Sequence, residues 1–501
     1  MNKVLKGLVA VAATAAMAVA GFAGAASATA AENNYDITVP STDSHTYSVY
    51  QVFTGDPSNG TLSNIEAGQN FNTNNTKGKS AAEAAADIAQ NTSADTDNTA
   101  RLAAITPYVD LTGPAFGEVS AANKLSAPAG YYLLKDKDAV TGDDAATLFI
   151  VQVNGPVTVN RKADKPSFEK KVKDVNDSTG VTTDWQDSAD YDMNDDVPFQ
   201  LTATLPSDAD NFAAYKTYKL VFHDNQSAGL TFKPETVVVK YEGTTLNTES
   251  YTLDQAPTDG HTFDITITNA KSVNDADGAP ITVAKGGKFT VEYKSTLNEN
   301  AVIGAAGNPN EASLEFSNNP NVGGEGNTGK TPTDKVIVFT YQLDIDKTFN
   351  GGTPDDSDLP EFTLYKFDST RNDYTTNLGK VKITKTTDGK YTASFKRVDD
   401  GKYKLVETKT PAGFNTAADT TFEITADHDV TSDDPTLTSL KINSTDGNTT
   451  TGTVVADVVN QKGSNLPSTG GMGTVLLYVA GIAVFVLAGA TLVMALRRRN
   501  A

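Results

Sequence analysis

Short runs in which every second residue is apolar recur along most of this chain, and that period of two suits β-strands with one buried face. Phe263-Asp264-Ile265-Thr266-Ile267 and Phe289-Thr290-Val291-Glu292-Tyr293 are the cleanest examples. Tyr35 to Val39 and Tyr47 to Phe53 begin the series, and Gly130 to Leu134 and Leu148 to Val153 continue it. Thr, Asn, Asp and Gly supply turn signals at the spacing of β-sandwiches. Ala81 to Ala89 is the exception and reads as a short helix. A length of 501 residues suits about three domains of roughly 150 residues each. The expectation is therefore an all-β protein of three tandem immunoglobulin-like β-sandwiches, at 32–162, 163–320 and 336–462. The Gly- and Pro-containing stretch 321–335 reads as a linker.

Charge and cysteine narrow the function. Asp plus Glu outnumber Lys plus Arg by 62 to 41, a net charge of −21. That balance argues against nucleic acid as a partner, because its phosphates would repel the chain. With no cysteine, disulfides, Cys-ligated zinc and thiol catalysis are excluded. His45, His223, His261 and His428 are scattered, and no pair has metal-ligand spacing along the chain. No metal or cofactor is expected. No Ser–His–Asp constellation, nucleophile elbow or phosphate loop points to an enzyme with turnover.

The two ends carry trafficking signals. Lys3 and Lys6 precede an apolar run from Leu8 to Ala20, and Ala26-Ser27-Ala28 is a small-x-small cleavage site. Residues 1–30 read as a secretory signal peptide. At the other end, Leu466-Pro467-Ser468-Thr469-Gly470 is followed by Thr474 to Leu496 without a charged residue, then Arg497-Arg498-Arg499. The apolar stretch can span a bilayer as a helix, with the arginines cytoplasmic and everything upstream outside. Leu466 to Gly470 resembles the LPxTG sorting signal of Gram-positive surface proteins. That resemblance implies a sortase that cleaves between Thr469 and Gly470 and passes the Thr469 carbonyl to an amine. Pro467 favours the extended backbone a protease-like groove accepts.

Strand parity then exposes polar residues aimed inward. Tyr341, Leu343 and Ile345 share a face with Lys347; Tyr403 and Leu405 share one with Glu407; Val454, Ala456 and Val458 share one with Asn460. The middle segment repeats the pattern. Phe168 and Val172 flank Lys170, Leu220 and Phe222 precede Asp224, and Leu314 and Phe316 precede Asn318. Burying an unpaired charge costs several kcal/mol. One reading is an ordinary buried ion pair, or strand ends that reach water. The other is an intramolecular isopeptide bond, Lys170–Asn318 and Lys347–Asn460. A desolvated lysine becomes a neutral nucleophile, and a buried protonated acid, Asp224 or Glu407, polarises the asparagine carbonyl. Such a bond would replace the disulfides that this exported chain lacks.

Tyr403-Lys404-Leu405-Val406-Glu407-Thr408-Lys409-Thr410-Pro411-Ala412-Gly413-Phe414 resembles the E-box of Cna-B-type domains, whose glutamate catalyses isopeptide formation. Lys165 to Val172, Phe222-His223-Asp224, Gly229 to Phe232 and Leu314 to Pro320 resemble the fimbrial isopeptide-forming domain. Signal, three sandwiches and sorting tail together resemble the major (backbone) pilins of Gram-positive sortase-assembled pili. The resemblance implies a structural shaft subunit of a fimbria, secreted and peptidoglycan-anchored on the cell surface. Its implied partners are a sortase, further copies in a covalent homopolymer, minor pilins and a peptidoglycan precursor. Major pilins present a lysine in a Val-Tyr-Pro-Lys motif between the first two domains. Here Val157-Thr158-Val159-Asn160-Arg161-Lys162 stands there, so Lys162 is the candidate intermolecular nucleophile, with Lys165 in reserve. The alternative is a singly anchored or minor-pilin adhesin that binds a host glycan or matrix ligand.

Overall fold

The computed structural model describes residues 34–58, 61–75, 77–91, 104–137, 144–161, 164–207, 212, 214–320 and 327–463. The signal segment, Lys162 and the sorting segment from Leu466 onward lie outside these residues. Among the described residues no helix is long and apolar enough to cross a membrane. The chain is nearly all-β, and its sheets fall into three successive groups.

In the first group, Thr61–Ala67, Thr46–Ser58, Gly130–Asp136 and Leu148–Val153 form one sheet, with Gly117–Ser120 paired to Thr46–Ser58. Asn34–Thr38 lies between Leu125–Pro128 and Val157–Thr158 in another. The expected helix is present as Ala81–Asn91. Ser80 and Glu83 cap it reciprocally, with Ser80 N donating to Glu83 Oε2 at 2.9 Å.

The second group is a sandwich. One sheet runs in the order Thr244–Thr245, Leu230–Tyr241, Lys288–Leu297, Asp196–Thr204, Ser167–Val172. Facing it are Ser188–Asp190, Asp334–Phe339, Asn308–Ser317, Leu220–Gln226, Phe263–Ile267 and Thr252–Asp254. Both sheets feed one core, with Phe199, Val291 and Tyr293 from the first and Phe222, Ile265 and Leu314 from the second. Alternating burial along Asp196–Thr204 and Lys288–Leu297 is what a one-sided apolar strand produces.

The boundary after this sandwich differs from the expected linker. Thr328–Lys330 pairs with Asn308–Ser317, and Asp334–Phe339 joins the same sheet between Ser188–Asp190 and Asn308–Ser317. Lys335 and its neighbours are therefore sheet, not linker. The local glycines and prolines obscure a strand whose apolar residues, Val336 to Phe339, begin only beyond them. Asp334–Phe339 passes into Tyr341–Asn350 through a single residue, Thr340, which is fully buried. A chain connection this short and this buried leaves little room for free rotation between the second and third groups.

In the third group, Thr384–Lys385, Tyr391–Val398, Tyr341–Asn350 and Thr453–Gln461 make one sheet. Asp373–Lys382, Glu361–Asp368, Gly401–Lys409, Thr420–His428, Leu437–Ile442 and Thr445–Asp446 make the other. The first and last strands, Tyr341–Asn350 and Thr453–Gln461, are parallel neighbours. At the junction with the second group, Lys366 Nζ lies 2.5 Å from Asp399 Oδ1 and 2.7 Å from Asp192 Oδ2, and all three side chains are buried. Burying this ammonium is tolerable because two carboxylates accept from it.

Candidate functional site: two buried lysine–acid–asparagine clusters

The third domain brings its three predicted residues together. Lys347 pairs with Val458 and Phe349 with Asn460 across the parallel ladder, so the lysine and the asparagine lie one step apart on adjacent strands. Glu407 reaches them from Gly401–Lys409 in the facing sheet. Lys347 is 2% exposed, Glu407 6% and Asn460 0%. Asn460 Nδ2 donates to Glu407 Oε2 at 2.9 Å and to the Asn415 carbonyl at 2.6 Å. Ala417 N donates to the same Glu407 oxygen at 2.5 Å. Lys347 Nζ donates to the carbonyls of Thr348 at 2.8 Å and Val458 at 3.1 Å, and stands over the Phe349 ring. Burial pulls the Lys347 ammonium down to about 8, with the Glu407 charge opposing. Asn460 Oδ1 and Glu407 Oε1 are buried without a hydrogen-bond partner.

The second domain has an equivalent cluster, with one correction. Lys170 and Asp224 are both fully buried, with Nζ donating to Asp224 Oδ2 at 2.5 Å. Tyr293, on the central strand of the first sheet, ties the group together. Its hydroxyl accepts from Lys170 Nζ at 2.8 Å and donates to Asp224 Oδ2 at 2.6 Å. The asparagine at this hydroxyl is Asn310, whose Nδ2 donates to it at 2.9 Å. Asn310 is fully buried and its Oδ1 has no partner. Desolvation lowers the pKa of Lys170, against the opposing charge of Asp224.

Asn318, the predicted partner, is buried but sits elsewhere. Asp224 is opposite Ala312, and Leu220 is opposite Phe316. Asn318 therefore lies beyond the other end of this pairing, six positions from Ala312, or about 20 Å along the strand. Parity alone could not separate the two, because Asn310 and Asn318 are both even-numbered and share the inward face. Asn310 was legible by the same rule, as it stands in line with Ala312, Leu314 and Phe316. Tyr293 was also legible on the inward face of its strand, although a tyrosine there signals core before it signals chemistry.

Of the predicted joining residues, only Lys165 falls among the described residues, where it is exposed. Arg161, just upstream of Lys162, is held by Asp144 at 2.8 Å. A shallow groove beside it is lined by Pro40, Thr42, Asp43, Ser44, His45 and Asn160. Leu466, Pro467, Ser468, Thr469 and Gly470 lie outside the described residues. The histidines, scattered in sequence, are not all scattered in space: the rings of His223 and His261 are 4.6 Å apart.

Residues 359–436 match the family described as SpaA, a prealbumin-like fold domain. The chain is 28% identical over 281 residues to the trypsin-resistant surface T6 protein of Streptococcus pyogenes, covering 53% of this chain and 46% of that one. The match thus spans about half of that relative's length. Among solved structures, the T6 backbone pilin of S. pyogenes is similar over 87% of this chain and all of that one, at 19% identity and a TM-score of 0.48. The full-length major pilin SpaD of Corynebacterium diphtheriae is similar over 86% of this chain and 98% of that one, at 18% identity and a TM-score of 0.43.

Proposed function

We propose that this chain, which resembles the major backbone pilins of Gram-positive pili, is the shaft subunit of a covalently polymerised surface fimbria, stabilised by an isopeptide bond in each of its last two domains. The single observation that carries this reading is the convergence of buried Lys347 and Asn460, on the first and last strands of the third domain, with buried Glu407 from the facing sheet.

The chemistry follows from the geometry. Neutral Lys347 Nζ attacks the Asn460 side-chain carbonyl carbon, and a C–Nζ bond forms as the C–Nδ2 bond breaks. Glu407 already accepts from that leaving nitrogen. It can relay a proton from Nζ to Nδ2, so that ammonia departs and the acid is regenerated. In the second domain Lys170 and Asn310 are the reacting pair and Asp224 relays the proton, with Tyr293 holding all three. Each acid acts once on its own chain, which is self-modification without turnover.

These bonds suit a tension-bearing part. A link from Lys347 to Asn460 takes the residues between them off the path of force from one terminus to the other. The proposed assembly extends that path between molecules. A sortase would cleave between Thr469 and Gly470 and join the Thr469 carbonyl to Lys162 of the next copy, or to Lys165 in reserve. Peptidoglycan would receive the last copy, and minor pilins would decorate the fibre.

Immunoblots of cell-wall extracts test the assembly. The expected result is a ladder that survives boiling in detergent and collapses to one band in Lys162→Ala or, failing that, Lys165→Ala. A single band in the wild type, or a ladder unchanged in both variants, rejects the shaft role in favour of a singly anchored surface protein.

A further inference from the structure

On the outer face of the second domain, back to back with the buried cluster, two of the chain's four histidines meet two aspartates. His223 and Asp264 are directly opposed in the antiparallel pair Leu220–Gln226 and Phe263–Ile267. Side chains alternate along a strand, so they point away from the core that receives Asp224. Asp259 and His261 come from the turn leading into Phe263–Ile267. Gly260, at φ +89°, makes that turn possible, and its N–H donates to the Pro257 carbonyl at 3.3 Å. The turn is then pinned to the neighbouring strand, because Thr262 N donates to the Asp224 carbonyl at 2.7 Å.

Four donor atoms converge there. His223 Nδ1 is 2.8 Å from Asp264 Oδ1 and 3.8 Å from Asp259 Oδ2. His261 Nδ1 is 3.0 Å from Asp259 Oδ2 and 3.4 Å from Asp264 Oδ1. All four atoms lie within 4.8 Å of one another. Bonds of about 2.0–2.2 Å from nitrogen and oxygen to a tetrahedral zinc ion would set neighbouring donors about 3.3–3.6 Å apart. The observed spacings bracket that value without any side chain moving far.

A simple ion-pair network accounts for His223, whose Nδ1 and Asp264 Oδ1 form a hydrogen bond at 2.8 Å, but not for His261. His261 Nδ1 is buried and makes no hydrogen bond, although a carboxylate oxygen stands 3.0 Å away. Ring edge and carboxylate are close but not aligned donor to acceptor, as expected when both face a common point between them. His223 Nε2, on the far side of its ring, is 3.6 Å from Glu315 Oε2. That separation is too long for a hydrogen bond, but the Glu315 charge favours a proton on Nε2, so that Nδ1 is the nitrogen turned to Asp264 and available to a metal that would share it. Two carboxylates also neutralise a divalent charge.

We infer that His223, Asp259, His261 and Asp264 form a divalent transition-metal site of the zinc type that clamps the 255–262 turn onto the outer strands of the second domain. Imidazole favours Zn2+ over Ca2+ or Mg2+, which prefer all-oxygen shells.

The test uses the full chain, stripped with chelator and titrated with Zn2+ by calorimetry and with Co2+ by visible absorption. The expected result is saturable micromolar binding and the intense visible band of four-coordinate Co2+, displaced by Zn2+. His261→Ala and Asp259→Asn should each remove one bound equivalent or weaken it about tenfold or more. Thermal unfolding and circular dichroism of the metal-free variants should match the metal-free wild type, which shows that they fold. Absence of saturable binding, or binding unchanged in both variants, overturns the site.

Discussion

The side-chain amide of Asn310 donates to the Tyr293 hydroxyl at 2.9 Å, the same hydroxyl that accepts from Lys170 at 2.8 Å. That relationship assigns the asparagine of the second domain, and intact mass spectrometry can check it. The wild-type chain is expected to weigh two ammonia molecules less than its sequence. Asn310→Ala should restore one of them, and Asn318→Ala should restore none. The opposite pattern would return the assignment to Asn318.

Tyr293→Phe keeps the ring that stacks near Phe199 and Phe232 but removes the hydroxyl shared by Lys170, Asp224 and Asn310. Losing a buried hydrogen-bonded hydroxyl costs about 1–3 kcal/mol. The expected outcome is slow or incomplete cross-linking in the second domain alone. A time course of mass after expression measures it, and full, prompt loss of both ammonia molecules would show that the hydroxyl is dispensable.

Lys347→Ala removes the nucleophile of the third domain, and Glu407→Gln leaves it in place without an ionisable relay. Both should lack one bond. By analogy with a disulfide, loss of such a staple costs about 2–5 kcal/mol. The third domain should then unfold at lower temperature, and under force it should extend where the wild-type domain does not. Single-molecule pulling that finds equal extension in wild type and variant would contradict the cross-link.

The junction of the last two domains carries a pH dependence of definite sign. Burial, helped by neighbouring carboxylates, raises Asp174, Asp195 and Asp400 to about 7. An acid whose folded pKa exceeds its unfolded value, near 4, stabilises the fold when protonated, and that contribution is lost as pH rises through about 7. His428 acts the other way, since burial lowers it to about 4 and its neutral form is favoured in the fold. Its contribution is complete above about 6.5 and is lost as pH falls towards 4. Stability should therefore rise as pH falls through about 7 and go on rising, more gently, below about 6.5, where the single His428 opposes the three acids. Thermal unfolding against pH measures this, and Asp400→Asn should flatten the rise. A midpoint that falls steadily from pH 8 to 6.5 would contradict the assignment.

Much of this architecture was readable from local pattern, because alternation is a property of the strand itself. Lys170, Asp224, Lys347, Glu407 and Asn460 were picked out by parity, and each is buried. The strand Asp334–Phe339 was harder, since glycine and proline nearby disguised a segment whose pairing partners are distant in sequence.

The order of residues alone determined which side chains face inward, since that requires only the two-residue repeat of an extended backbone. Tertiary structure decided which inward residues meet. Asn310 and Asn318 are equivalent to the alternation rule, and only the pairing of Asp224 with Ala312 selects the first. His223 and His261 are likewise far apart along the chain and become neighbours only when their strands pair and the Gly260 turn folds back. Register is set by contacts between strands, and no single strand's sequence contains it.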